Sequence, residues 1–162
     1  REVAERTGRA VVMPSNGAGN WHWDTHSEKV AAAWNWIEAQ PNLSTEAPVL
    51  MGLSNGGLGV TRCIEDGIAE WERVVYISPV LETNRVMGHD FLKQLGETPV
   101  LIISGDADRR IPVAIIREAQ QGLLAAGYAT ELQTMAEEDH FLFFHRRDEV
   151  IELLSDWIGV EP

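Results

Sequence analysis

Three residue types that can share a proton between them, serine, aspartate and histidine, recur along this chain just after strand-like runs. Ser54 lies in Gly52-Leu53-Ser54-Asn55-Gly56, a G-x-S-x-G pattern that follows Pro48-Val49-Leu50-Met51 and precedes a helix-like segment opened by Gly57 and Gly59. A hydroxyl that is to attack must stand clear of the backbone at the end of a buried strand, which forces a sharp, strained turn at the serine. The residues two before and two after then come too close for side chains, a demand that Gly52 and Gly56 meet. The bare pattern arises by chance in roughly 5% of chains this long, so its weight depends on an acid and a base downstream. Gly105-Asp106-Ala107-Asp108-Arg109-Arg110-Ile111-Pro112 offers the acid as Asp106 or Asp108, and Glu137-Glu138-Asp139-His140-Phe141 offers the base. A serine hydroxyl is a poor nucleophile at neutral pH, so an imidazole must take its proton. The imidazole in turn needs a carboxylate to fix its tautomer and support its charged form. The chemistry such a set would serve is acyl transfer.

The elements that must position these residues alternate between strand-like and helix-like. Residues 1–7 read as the end of a helix stopped at Gly8, and Ala10-Val11-Val12-Met13 as a short buried strand closed by Pro14. A helix is expected from Ser27, a plausible N-cap, to Gln40, before Pro41. Strands are expected over 48–53, 73–78, 99–104 and 129–135, and helices over 56–66, 112–126 and 148–158, with a short helix within 81–96. That alternation predicts an α/β fold, a mostly parallel sheet with helices on both faces. Ligands in such sheets bind beyond the carboxyl ends of the strands, and Ser54, the Asp106/Asp108 pair and His140 all fall there.

With the three motifs in this order, the sequence resembles an α/β-hydrolase over essentially all 162 residues. The family pattern G-x-x-D-x-x-[VI]-P matches Gly105, Asp108, Ile111 and Pro112. The terminal histidine loop with its aromatic-rich continuation matches His140-Phe141-Leu142-Phe143-Phe144 through Trp157-Ile158. The resemblance implies a serine hydrolase that cleaves carboxylic esters through an acyl-enzyme, with Ser54 as nucleophile, Asp108 as acid and His140 as base. It makes Asp106 a turn cap and leaves Glu82 as a rival acid, because some relatives carry one there. His145 is a rival base, but it falls in the final helical segment, and Asp139 reads as a solvated loop charge.

An oxyanion hole needs two preorganised N–H donors. The backbone N–H of Asn55, next to the nucleophile and near a helix start, is the first. In the family the second comes from a loop after an earlier strand, and nothing in this chain supplies it. The expectation is therefore a single catalytic domain over 1–162 that is N-terminally incomplete, the C-terminal portion of a longer hydrolase, or one completed by an N-terminal fragment or a second chain. From Leu81 to Glu97 there are about 17 residues, too few for a large cap domain. Trp21 and Trp23 are candidates for the substrate pocket, and Trp34, Trp36, Trp71 and Trp157 for packing.

The remaining signals narrow the class. A net charge of −12 without a basic patch leaves no footprint for nucleic acid. The lone Cys63 excludes an internal disulfide and reads as a small buried hydrophobe. His22, Asp24 and His26 alternate along an extended segment as a metal set would, but no fourth ligand appears and the triad requires no metal, so neither metal nor cofactor is expected. No run approaches a membrane span and no signal peptide is visible, which favours a cytoplasmic location, although the chain opens at Arg1 and a targeting segment could precede it. The partner is a small-molecule ester. A non-catalytic ligand-binding or interaction protein on the same fold is the alternative, and thioesterase or acyltransferase chemistry would use the same residues.

Overall fold

The computed structural model describes residues 1–15, 21 and 27–159. In chain order the elements are α1 (Glu2–Thr7), α2 (Ser27–Glu38), β1 (Val49–Leu53), α3 (Gly56–Glu65), β2 (Arg73–Ile77), α4 (Thr83–Val86), α5 (His89–Leu95), β3 (Val100–Gly105), α6 (Val113–Ala125), β4 (Thr130–Met135), α7 (Leu142–His145) and α8 (Arg147–Gly159). The four strands form one parallel sheet in the order β1-β2-β3-β4. Leu53 is in register with Ile77, Ile77 with Ile103, and Gly105 with Met135. The loops that begin at residues 54, 78, 106 and 136 therefore emerge along one edge of the sheet.

Period-two alternation in the central strands feeds two separate cores. Val74, Tyr76, Val100 and Ile102 face α3, α5 and α6, where Cys63, Ile64, Phe91, Leu95, Ile116 and Leu123 close the layer. Val75, Ile77, Leu101 and Ile103 face the other way, against Leu142 of α7 and Val150, Leu154 and Ile158 of α8. Helix α1 joins this second layer through Val3 and an ion pair from Glu2 to Arg147 at 2.8 Å. Each large apolar side chain buried this way contributes about 1.5–3 kcal/mol, and β2 and β3, covered on both faces, contribute eight of them.

The outer strands differ. β1 is half-covered, with Met51 and Leu53 exposed, and among the described residues it pairs with β2 alone. Here the structure corrects one expectation: residues 10–13 form no strand, and Val11, Val12 and Met13 are exposed. A four-residue apolar run becomes a strand only when a neighbour accepts its backbone hydrogen bonds, and among the described residues no strand lies beside it. Arg9 instead ties this segment to the sheet, donating to Ala47 O and to Glu72 Oε2. The region 81–96 holds two short helices, α4 and α5, rather than one. Trp36 is exposed rather than packed, whereas Trp34 meets Trp71 edge-on at 5.5 Å.

Candidate active site

Ser54 ends β1 in a left-handed conformation, φ 52°, which costs a non-glycine residue about 1 kcal/mol or more. Three hydrogen bonds hold it there. Its N–H donates to Ile77 O at 2.8 Å, and its carbonyl accepts from Gly57 and Val80 N–H, each at 2.9 Å. The turn folds α3 back so closely that a Cβ on Gly52 would lie 2.5 Å from Gly56 O. Gly56 is not crowded in this way, since a Cβ there would meet nothing within 4 Å; the second crowded position is Gly57, beneath Pro79 and Val80. The first turns of α3 are pinned from below by Thr61 Oγ1, which hydrogen bonds Gly57 O at 3.0 Å and the buried Tyr76 hydroxyl at 3.2 Å.

Ser54 Oγ lies 2.7 Å from His140 Nε2, and His140 Nδ1 lies 2.8 Å from Asp108 Oδ2. The pairing fixes the tautomer: Nδ1–H donates to the carboxylate, leaving Nε2 to accept from the serine hydroxyl. The Asp108 side chain is fully buried, and a buried charge must have its lone pairs satisfied. Its other oxygen accepts Arg110 N–H at 2.8 Å and Ile111 N–H at 2.9 Å. Pro112, next in line at the cap of α6, has no N–H to place. The His140 side chain is 10% exposed, so one edge of the ring meets solvent.

The rivals lie elsewhere. Asp106 accepts the Glu137 N–H at 2.7 Å and so caps the turn into the histidine loop. Glu82 caps α4 and faces Arg85 at 3.6 Å. His145 belongs to α7, more than half exposed beside Glu138 and Asp139. Cys63 is fully buried, and burial pushes its thiol up to about 12, so no thiolate competes at neutral pH.

The Asn55 N–H donates to no acceptor among the described residues, at the cap of α3. The Asn55 side chain has its own task, accepting the Trp21 N–H at 2.7 Å. Trp21 packs its indole over α3, 3.0 Å from where a Cβ on Gly59 would stand. Trp23, and the set His22, Asp24 and His26, lie outside the described residues.

Sequence reasoning did not foresee the surroundings of His140. A cavity of about 500 Å³ opens there, lined by Ala107, Arg109, Arg110, Asp139, His140 and Phe141. The Phe141 ring meets His140 edge-on at 5.8 Å, and the Arg110 guanidinium lies 4.9 Å from the Phe141 ring centre. Gly105 makes the approach of the two loops feasible, because a Cβ there would be 2.1 Å from Glu138 O. The motif that carried Asp108 contained Gly105, Arg109 and Arg110, but spacing alone does not reveal which loop crosses it.

No protein-family model matches the chain, and neither does any curated protein. Among solved structures it is similar to a Thermogutta terrifontis esterase 2, at 17% identity and a TM-score of 0.67 over 91% of this chain and 70% of that one. An alpha-beta serine hydrolase homologue from Coxiella burnetii aligns at 21% identity and a TM-score of 0.63, over 96% of this chain and 73% of that one. Porphyromonas gingivalis dipeptidyl peptidase 4 aligns at 18% identity and 0.63 over 81% of this chain. The chain spans 22% of that peptidase and 27% of a Pyrococcus horikoshii acylaminoacyl peptidase. The fold is that of the α/β-hydrolases, with four parallel strands among the described residues.

Proposed function

We propose that this chain carries the catalytic residues of a serine hydrolase acting on carboxylic esters. The observation that supports it is the continuous relay from Ser54 Oγ through His140 to the buried Asp108. In this reading Ser54 attacks the acyl carbonyl while His140 Nε2 takes its proton. The tetrahedral oxyanion is held by the Asn55 N–H, and Asp108 stabilises the imidazolium without itself taking the proton. His140 then passes the proton to the leaving oxygen as the acyl C–O bond breaks. A water activated by His140 releases the acid and restores the serine.

The decisive test is turnover of a short-chain p-nitrophenyl ester together with labelling by a fluorophosphonate. Ser54→Ala should lose both, and a wild-type chain that shows neither would overturn the reading. Thioesters and amides call on the same relay, and a substrate panel separates them. A ligand-binding role without turnover is the second reading, favoured by one point: among the described residues, Asn55 N–H is the one candidate oxyanion donor. Saturable ester binding without release of alcohol would select it. The open side of β1, where Met51 and Leu53 face outward, supports a further strand pairing there, from an N-terminal segment or a second chain.

A further inference from the structure

The cavity beside His140 carries a charge that contradicts the rest of the molecule. The chain has 25 acidic residues against 13 lysines and arginines. Arg1, Arg9, Arg62, Arg85, Arg146 and Arg147 each sit against a carboxylate. Arg109 and Arg110, like Arg6, Arg117 and Lys93, make no ion pair among the described residues, but these two stand together in the lining of this cavity. The single carboxylate of the lining, Asp139, has one oxygen accepting the Phe141 N–H at 2.7 Å and lying 3.7 Å from His145 Nδ1. Two arginines against one aspartate leave the lining with a charge of +1 when His140 is neutral.

Arg110 is also held in place. Its backbone N–H is committed to Asp108, and its guanidinium rests on the Phe141 ring. A guanidinium that uses its face on an aromatic ring keeps its N–H donors pointing outward in its own plane, as a fork for two oxygens. Position in the reaction then decides which part of a substrate it meets. The leaving oxygen takes its proton from His140 Nε2, so the group attached to that oxygen lies on the His140 side, where this cavity opens.

We propose that the substrate's leaving alcohol bears an anionic oxygen group, a carboxylate or phosphate, received by Arg110 and Arg109 with Phe141 beneath it. This rests on the ester hydrolase reading above and adds the class of the leaving group. Because the site is open to solvent, the preference should be about tenfold, nearer an exposed charge-assisted contact than a buried one.

The test compares acetyl esters of matched phenols: 4-acetoxybenzoate, 4-acetoxyphenyl phosphate, neutral 4-acetoxybenzamide and a cationic 4-(aminomethyl)phenyl ester, each normalised to its hydroxide rate. Wild-type kcat/KM should favour one or both anionic esters over the amide about tenfold, and the two anionic arms show which oxyanion is taken. Arg109→Gln with Arg110→Gln should bring that ratio to near one. Arg109→Glu with Arg110→Gln should turn the preference toward the cationic ester, an outcome that unfolding cannot produce. Turnover of the neutral ester without anionic preference, or a preference that survives both variants, overturns this proposal and leaves the hydrolase reading standing. Absence of turnover of every ester, without fluorophosphonate labelling, overturns both.

Discussion

At the scale of single residues, Asp108 does most to define the site, because it organises two things at once. One oxygen holds His140 in its working tautomer, and the other gathers the backbone of residues 110 and 111. Asp108→Asn keeps the shape but supplies an amide where Nδ1–H needs an acceptor. The variant should lose about 10³- to 10⁴-fold in kcat with little change in KM, read from ester kinetics. Which aspartate would reach His140 could not be read from the residues of the loop alone, since Asp106 and Asp108 stand two apart on the same turn. It was legible once spacing to Ile111-Pro112 was added, because that spacing reflects two N–H groups closing on one carboxylate. The arginines were illegible for the opposite reason. Charge in a sequence has sign but no address, and the −12 total concealed two arginines beside His140 that make no ion pair among the described residues.

At the scale of elements, the strand-to-loop junctions carry the constraint. Gly105 ends β3 directly under the crossing of residues 138–139. Gly105→Ala should cost about 2 kcal/mol or more in urea unfolding and reduce activity further than that loss explains, because the histidine loop itself must move. Gly56→Ala, at the opening of α3 in free space, should change stability by less than about 1 kcal/mol in the same assay. Each is a glycine of its own sequence motif; the approach of other backbone separates them. Strands 48–53, 73–78, 99–104 and 129–135 were readable within a residue or two because each is bounded by turn residues and carries enough apolar residues to fill one or two faces. Residues 10–13 carry the same pattern without a described neighbour, so the strand expected there does not form.

At the scale of the whole molecule, two cores on opposite faces of one sheet must form together for either to be closed. Cys63 is a reporter for the first of them: fully buried and held as a thiol by the surrounding apolar layer. A disulfide exchange reagent at neutral pH should titrate essentially no thiol in the native chain and one per chain in denaturant. Reaction in native buffer at a rate tracking local α3 opening would show the α3–α5 layer to be the weaker of the two.

The spatial order of the strands is the order of synthesis. Among the described strands, each new one meets a neighbour already made, and these four are added in one direction. Ser54 comes at the start of that series and His140 at the end. On the proposed reading, Ser54 is thus in place during translation long before His140 can draw off its proton, and reactivity would arrive with the last loop, after the turn at Ser54, Asp108 and the cavity wall have been laid down. On that reading, ribosome-stalled chains should accept a fluorophosphonate only once His140 and the closing helix α8 have emerged, with the final strand-to-helix crossing as the switch.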